Sequence, residues 1–182
     1  MSVLWQPSPR HIESARITAF RRFVQERCEL EFPDYAALHA WSISDREAFW
    51  SSVWDFCGVI ASHRGERVLV DGERMPGAQF FPDARLNFAE NLLRRRDDGD
   101  AIIFQCENGS GTRLSWRDLQ EQVSLTAQSF RAAGIQPGDR IAAMLPNIPE
   151  AVVAALACAA VGAVWCSCSP DFGVQGVLDR FQ

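Results

Sequence analysis

Two loops near the end of the chain have the positions and residue types best suited to ligand binding. They are Pro146 to Pro149 and Ser169 to Gly173, and each follows a short apolar run. In an open α/β sheet, ligands bind at the loops that follow the carboxyl ends of parallel strands. A helix predicted from Val174 would direct its first backbone N–H groups toward the second loop, which suits an anion. The alternative is that Ser169 and Asp171 only cap that helix.

The segments around these loops follow the order of a βαβ unit. A turn at Pro137 to Asp139 precedes a predicted strand at 140–145, an apolar helix at 151–160 and a second strand at 163–168. This order indicates a parallel sheet in an α/β fold. A parallel sheet needs more strands than this unit supplies, so we expect the opening segment of a larger domain whose sheet is incomplete here. We also expect apolar faces between 151 and 168 to be exposed and to favour aggregation.

Helix signals and aromatic side chains dominate the residues before position 101. Ser8 can cap a helix that has Pro9 at its first position. Val68 to Val70 is a candidate short strand, and the tryptophans between 41 and 54 are expected to lie in a core. Apolar residues recur at helical spacing after Pro9, namely at Ile12, Ala15, Ala19, Phe20, Phe23 and Val24.

Side chains that can cap helices mark three further helix starts in this part of the chain. Asp34 can cap a short helix, and Ser44 to Glu47 has the pattern of a capping box for the next one. That helix is expected to end at Gly58. Asn87 can cap a helix from Phe88 to Arg95. The first half of the chain is therefore predicted to be mainly helical.

A change of pattern at residue 101 marks a candidate domain boundary. Two predicted strands, 101–106 and 112–115, flank a run of turn residues and should form a hairpin. Ser115 to Asp118 has the pattern of a second capping box, and Gly134 suits the end of the helix that follows. The βαβ unit begins after that helix.

Composition argues against several classes of function. The chain has 182 residues, 47% of them hydrophobic, and a formal net charge of -5. These values support a globular core and disfavour nucleic acid as a partner, because phosphate binding needs clustered cations. All 18 basic residues are arginine. Without a lysine, the segment has no Walker-type phosphate lysine and no Schiff-base lysine.

The six cysteines and three histidines show no pattern typical of a metal site or a catalytic triad. Cys166 and Cys168 lie two apart on a predicted strand, so both are expected on one side as reduced core residues. Reduced thiols, and no apolar leader in Met1 to Arg10, predict a cytoplasmic protein. Ala151 to Cys168 has 18 uncharged residues, but Gly162 interrupts it, so no membrane span is predicted. No catalytic or metal-binding residue is predicted.

Three tracts match family motifs. Phe80 to Leu93 has the sequence FFPDARLNFAENLL, and Cys166 to Val174 has CSCSPDFGV. Between them, Gly134 to Glu150 contains GIQPGDRIA and LPNIPE, and GAV follows at Gly162 to Val164. The tract from Gly134 to Val164 resembles the acyl-adenylate-forming superfamily. The tracts at Phe80 to Leu93 and Cys166 to Val174 resemble the acetoacetyl-CoA synthetase family within that superfamily, and the likeness extends over essentially the whole chain.

The resemblance implies an organisation and an activity. Residues 1–100 correspond to the N-terminal helical cap region of acetyl- and acetoacetyl-CoA synthetases, and 101–182 to a truncated beginning of the AMP-binding domain. The full-length family uses ATP, CoA and Mg²⁺ to join acetoacetate to CoA through an acyl-adenylate. Of the family's sites, only the CoA entrance falls here, at Ser169, Pro170 and Asp171. The phosphate loop and the catalytic lysine lie downstream, so the segment alone is expected to be inactive.

Two alternatives stay open. The first is a ligase for acetate or propionate, because this segment contains little of the acyl pocket in the family. The second is a non-catalytic interaction module on the same fold, which would have a protein partner and no phosphate loop.

Overall fold

The computed structural model describes residues 4–181. Residues 1–3 and Gln182 lie outside the described residues. The first three belong to the segment Met1 to Arg10, for which no apolar leader was predicted. The chain divides into two compact units, the first ending at Arg85 and the second beginning at Leu86. The helices are α1 (Pro9–Ser14), α2 (Arg16–Cys28), α3 (Tyr35–Ser44), α4 (Arg46–Cys57), α5 (Phe88–Leu92), α6 (Trp116–Ala132), α7 (Pro149–Ala160) and α8 (Val174–Phe181). The strands are β1 (Leu69–Val70), β2 (Gln79–Phe80), β3 (Asp100–Gln105), β4 (Gly111–Ser115), β5 (Arg140–Met144) and β6 (Val164–Cys168).

These elements confirm the predicted α/β class, with a helical first half and a parallel βαβ unit. The strands form two-stranded sheets: β1 with β2 and β3 with β4 are antiparallel, and β5 with β6 is parallel. Within residues 4–181, no helix is both long enough and apolar enough to cross a membrane. The domain boundary predicted at residue 101 stays a prediction.

The first unit begins with two helices where the apolar spacing indicated one. Ser8 caps α1 as predicted, because its hydroxyl accepts the backbone N–H of His11 at 3.3 Å. Ala15 then adopts an extended conformation, with φ -69° and ψ 139°, and α2 starts after it. The carbonyl of Ile12, near the end of α1, accepts the hydroxyl of Thr18 at 2.6 Å and the backbone N–H of Ala15 at 3.3 Å.

A small aromatic and aliphatic core holds the helices of this unit together. Trp41 packs against this core as predicted, but Trp50 is 38% exposed and is not a core residue. Asp34 caps α3 by accepting the N–H of Ala37 at 2.8 Å, which confirms the predicted cap. The buried residues of the core are Phe20, Val24, Phe32 and Leu38.

The capping box predicted at Ser44 is displaced by one residue. Asp45 is the N-cap of α4, and its carboxylate accepts the N–H of Ala48 at 3.1 Å. Ser44 is the last residue of α3, and its hydroxyl donates to the carbonyl of Trp41 at 3.3 Å. Two helices that abut leave one residue to serve as both C-cap and N-cap, and that residue is Asp45. Gly58 ends α4 in the left-handed conformation, as predicted, with φ 58°.

The second unit is built on a hairpin and two long helices. Ser115 and Asp118 form the predicted capping box at the start of α6, and their hydrogen bonds lower the pKa of Asp118. The contribution of this box to stability is therefore present above the ordinary pKa of aspartate and is lost as pH falls through the lowered pKa. α7 packs on both α6 and α5, and α5 ends at Leu92 rather than at Arg95. The buried residues of this core are Ala89, Leu93, Leu119, Val123, Ala127, Val153, Leu156, Ala157 and Val161.

The parallel pair β5–β6 has one largely exposed face. Met144 and Val164 are each 52% exposed, and Cys166 between the strand ends is also exposed. Cys166 is therefore not the core residue that its spacing predicted. Cys168 is buried, as predicted, and Cys158 in α7 is buried, where desolvation raises the pKa of its thiol.

The expected exposure of apolar residues between 151 and 168 is confirmed at Val152 and Val164, but Val153, Leu156 and Ala157 of α7 are buried. The expected aggregation stays a prediction.

Candidate functional site

The two loops identified in the sequence begin side by side. Met144 and Cys168 are the last paired residues of β5 and β6, so both strands end at the same edge of the sheet. One further hydrogen bond joins the strand ends, from the N–H of Leu145 to the carbonyl of Cys168 at 3.2 Å. The loops starting at Pro146 and Ser169 therefore leave the sheet at the edge where parallel sheets bind ligands.

The second loop is closed by its own hydrogen bonds. The hydroxyl of Ser169 donates to Oδ2 of Asp171 at 2.8 Å and accepts the N–H of Asp171 at 3.3 Å. The N–H of Phe172 donates to the carbonyl of Ser169 at 3.2 Å. These bonds hold the two polar side chains against each other in a tight turn. The helix α8 follows this turn at Val174, as predicted.

An arginine beside this loop was not predicted from the sequence. The guanidinium carbon of Arg180 lies 4.0 Å from the ring centroid of Phe172, which is within cation–π range. Arg180 follows Phe172 by eight residues, and no short motif links them. The arrangement places a positive charge against the residue that follows Asp171. The helical fold of α8 produces this proximity, so only the structure could identify it.

The first loop is simpler and leads directly into α7. The N–H of Ile148 donates to the carbonyl of Pro146 at 2.9 Å, and Pro149 occupies the first turn of the helix. Proline suits that position because the N–H it lacks would have no partner inside the helix. Asn147 is exposed, so its amide is accessible at the same edge as Ser169.

The amino ends of both strands are fixed by a turn around Gly162. The N–H of Gly138 donates to the carbonyl of Gly162 at 2.9 Å, and the N–H of Val164 donates to the carbonyl of Asp139 at 2.7 Å. Gly162 has φ 77°, and a Cβ atom there would lie 3.2 Å from Cβ of Pro137. This position therefore needs glycine both for its backbone conformation and for the close approach of Pro137.

Replacing Gly162 with alanine is expected to lower the free energy of unfolding by about 2–3 kcal/mol. The added methyl group meets both the strained backbone and the pyrrolidine ring of Pro137. Gly134→Ala is the matched control, because Gly134 has φ 86° but nothing lies within 4 Å of the point that its added methyl group would occupy. The control should cost about 1 kcal/mol, measured for the second unit by hydrogen exchange resolved by peptide. Equal costs for the two variants would show that the Pro137 contact contributes nothing.

The residues at the sheet edge do not form a complete nucleotide site. They supply a hydroxyl, a carboxylate, an amide and a guanidinium, whereas ATP binding needs several donors around its phosphates. The chain contains no lysine. Within residues 4–181, no group of three or more His, Cys, Asp or Glu side chains could hold a metal ion. Ser169, Pro170 and Asp171 could therefore form one wall of a ligand site, and phosphoryl chemistry needs further groups.

Comparison with known proteins supplies the family. The AMP-binding enzyme family matches residues 88–181, and the Acetyl-coenzyme A synthetase N-terminus family matches residues 35–92. An acetoacetyl-coenzyme A synthetase of Rhizobium meliloti (strain 1021) is 53% identical over 178 residues, which are 98% of this chain and 27% of that protein. An acetoacetyl-CoA synthetase of Rattus norvegicus is 36% identical over 182 residues, with the same two coverages.

One relative with a similar sequence identity is named for an acid other than acetoacetate. Malonamoyl-CoA synthetase vrtB of Penicillium aethiopicum is 38% identical over 185 residues, covering 98% of this chain and 25% of that protein. Among solved structures, the acetoacetyl-CoA synthetase from Streptomyces lividans matches all of this chain and 29% of its own, with 46% identity and a TM-score of 0.91. The chain spans about a quarter of the length of these relatives. The resemblance to acetoacetyl-CoA synthetases found in the sequence is confirmed, and the chain belongs to the AMP-binding enzyme family.

Proposed function

We propose that this chain is part of an acid–thiol ligase that makes acetoacetyl-CoA from acetoacetate, ATP and CoA through an acyl-adenylate. The observation that supports this most strongly is the 53% identity to the Rhizobium meliloti acetoacetyl-coenzyme A synthetase over 98% of the chain. In this reaction ATP supplies the adenylate, CoA supplies the thiol, and Mg²⁺ offsets the phosphate charge. The acid is the part of the proposal on which the relatives differ, because a malonamoyl-CoA synthetase is similar at 38% identity.

In this proposal the loop Ser169-Pro170-Asp171 forms part of the CoA entrance. The carboxylate of Asp171 would repel the phosphate groups of CoA, whereas the hydroxyl of Ser169 in the same turn is neutral and would not. The loop would therefore contact the uncharged pantetheine arm and guide it past the sheet edge. Arg180, beside the Phe172 ring, would attract the phosphates of CoA.

A chimera tests the loop and whether this chain can serve in an acid–thiol ligase, whereas the choice of acid needs the full-length protein carrying this chain. In the chimera this chain replaces the matching quarter of the Rhizobium meliloti enzyme, and pyrophosphate release is measured with acetoacetate, ATP, Mg²⁺ and CoA. We expect acetoacetate-dependent turnover by the chimera and none by this chain alone, because the segment contains no lysine for the catalytic role that the family gives to that residue. Turnover by this chain alone would refute the second expectation, and an inactive folded chimera would refute the first.

Ser169→Ala in the chimera is expected to raise the KM for CoA about tenfold, because it removes both hydrogen bonds that the Ser169 hydroxyl forms within the turn. The KM values for ATP and acetoacetate should not change. Ser167→Ala is the matched control, since Ser167 is exposed two residues earlier on β6 and does not belong to the turn. A KM for CoA that is the same in both variants would remove the loop from the CoA entrance.

The two alternatives give different results. A ligase for acetate or propionate would turn over the corresponding acid faster than acetoacetate when the full-length protein carrying this chain is assayed. A non-catalytic module would give a folded but inactive chimera and a protein partner in a pull-down. The cytoplasmic location, and the absence of nucleic-acid and membrane partners, stay predictions.

A further inference from the structure

The turn that joins β3 to β4 contains an asparagine followed by a glycine. Asn108, Gly109 and Ser110 are all exposed, so water and hydroxide reach this turn freely. Gly109 has φ 83°, a left-handed conformation that glycine adopts without strain. Nothing lies within 4 Å of the point that a Cβ atom on Gly109 would occupy. The turn is therefore accessible, and no side chain shields the backbone nitrogen of Gly109.

The side-chain carbonyl of Asn108 is held by two hydrogen bonds from one residue. Its Oδ1 atom accepts the backbone N–H of Ser110 at 3.0 Å and the hydroxyl of Ser110 at 2.6 Å. Asparagine commonly bonds the backbone two residues on in this way. Both donors withdraw electron density from the carbonyl, so its carbon, Cγ, becomes a better electrophile. The same donors are in place to stabilise negative charge that develops on Oδ1 during attack at Cγ.

The nucleophile that can reach this carbon is the backbone nitrogen of Gly109. Because this nitrogen belongs to the next residue, its attack on Cγ of Asn108 closes a five-membered ring. A side chain on the following residue would crowd this ring closure, and glycine has none. The N–H of Gly109 donates to the carbonyl of Cys106 at 3.0 Å, and this bond must open before the nitrogen loses its proton. Opening costs little here, because the turn is exposed and water replaces the bond.

We propose that Asn108 is a site of spontaneous intramolecular deamidation, in which the Ser110 hydroxyl stabilises the transition state. The nitrogen of Gly109 bonds to Cγ of Asn108, the bond from Cγ to Nδ2 breaks, and ammonia leaves with the proton that the backbone nitrogen gives up. Water then opens the cyclic imide at either carbonyl, which yields aspartate or isoaspartate at position 108. The reaction needs only water as a co-reactant, and it does not depend on the proposed ligase activity.

The reaction changes both the charge and the backbone of the hairpin. Either product adds one negative charge to a chain whose formal net charge is -5. Isoaspartate also routes the main chain through the former side chain, which adds one carbon between positions 108 and 109. The hydrogen bond from the N–H of Cys106 to the carbonyl of Ser110, at 2.7 Å, spans this point. Conversion is therefore visible both by charge and by backbone connectivity.

Incubation of the purified chain at mildly alkaline pH, followed by peptide mass spectrometry that distinguishes aspartate from isoaspartate, tests this site. Asn147 is the internal control, because it is also exposed but precedes Ile148, whose branched side chain crowds ring closure. We expect Asn108 to convert faster than Asn147 by a factor of about ten or more, equivalent to about 1.4 kcal/mol of activation free energy. A smaller ratio would overturn the proposal. Conversion should be slower at mildly acidic pH, because the backbone nitrogen then keeps its proton, and a rate that does not fall would exclude this nucleophile.

Variants of Ser110 separate the effect of its hydroxyl from that of the asparagine–glycine sequence. Ser110→Ala keeps the backbone donor to Oδ1 but removes the hydroxyl, and should slow conversion about threefold to tenfold. Ser110→Thr keeps a hydroxyl and should convert within about twofold of the unchanged chain. Both variants change one exposed residue, so neither is expected to unfold the chain. Equal rates in Ser110→Ala and the unchanged chain would overturn the role of the hydroxyl.

Concentrated urea separates the folded turn from the local sequence. Unfolding removes the hydrogen bonds that hold the Asn108 side chain, so the rates of the unchanged chain, Ser110→Ala and Ser110→Thr should converge. Convergence in urea, together with a slower Ser110→Ala in buffer, supports stabilisation by the folded turn. A deficit in Ser110→Ala that persists unchanged in urea would contradict it.

Discussion

Replacing Phe20 with alanine is expected to lower the free energy of unfolding of the first unit by about 3–5 kcal/mol. Phe20 is 5% exposed, and its ring meets two other rings edge to face. The centroid distances are 5.8 Å to Phe49 and 5.2 Å to Phe56, so α2 is joined to α4 through this side chain. Removing the ring would leave a cavity and would also abolish both aromatic contacts. Phe32, the other buried aromatic residue of this core, meets a ring on α3 instead, that of Trp41.

Hydrogen exchange resolved by peptide is the measurement for this prediction, since the chain has two units and a single unfolding midpoint would not separate them. The amides of α2 and α4 should lose protection. Ile43→Ala is the control, because Ile43 is 62% exposed on α3 and its truncation should cost less than about 0.5 kcal/mol. A loss of less than about 1 kcal/mol for Phe20→Ala would mean that the unit does not depend on this aromatic cluster.

Local features of this fold could be predicted from the sequence because their partners lie close together in the chain. The capping box at Ser115 and Asp118 joins residues three apart, and the cap at Asp34 reaches Ala37 over the same distance. Gly58 ends α4 for a reason contained in one residue, the left-handed backbone. Signals of this kind are short in range and need no knowledge of tertiary structure.

Features that depend on distant partners could not be predicted. Asn87 was expected to cap α5 and does so, but its side-chain amide also donates to the carbonyl of Ala159 at 2.8 Å, 72 residues away. Nothing local in the sequence indicates that second bond. β2 was missed for the same reason, since Gln79–Phe80 is a strand only because it pairs with β1.

The error at Cys166 came from an assumption about the sheet. Cys166 and Cys168 face one side of β6, as period-two spacing requires, but burial depends on what covers that side. The described chain pairs β6 with β5 alone, and Val164 on the same face is 52% exposed. Strand periodicity therefore predicts which face of the strand a side chain occupies and not whether it is buried.

For the candidate site, the sequence predicted the two loops that follow the parallel strands. The position of Arg180 over Phe172 could not be predicted, because it depends on the geometry of the helix α8.

Leu156→Ala is expected to destabilise the second unit by about 2–5 kcal/mol and to loosen the sheet edge as well. Leu156 is 4% exposed and belongs to the core in which α7 packs on α6. α7 is also the crossover between β5 and β6, so its position fixes the register of the parallel pair. A cavity under α7 should therefore increase the hydrogen exchange of the backbone amides in both strands. The amides of the loop that begins at Ser169 should also exchange faster.

Val152→Ala on the same helix is the control, because it also introduces an alanine into α7 but removes no buried side chain. Val152 is 40% exposed, and alanine favours the helical state, so this variant should keep the exchange protection of both strands. Leu156→Met should cost less than about 1.5 kcal/mol, since it nearly conserves volume. If Leu156→Ala lowered protection in α7 but left β5 and β6 unchanged, the pair would be held by its own hydrogen bonds. That outcome is not expected, because two parallel strands without a packed helix are marginal in water.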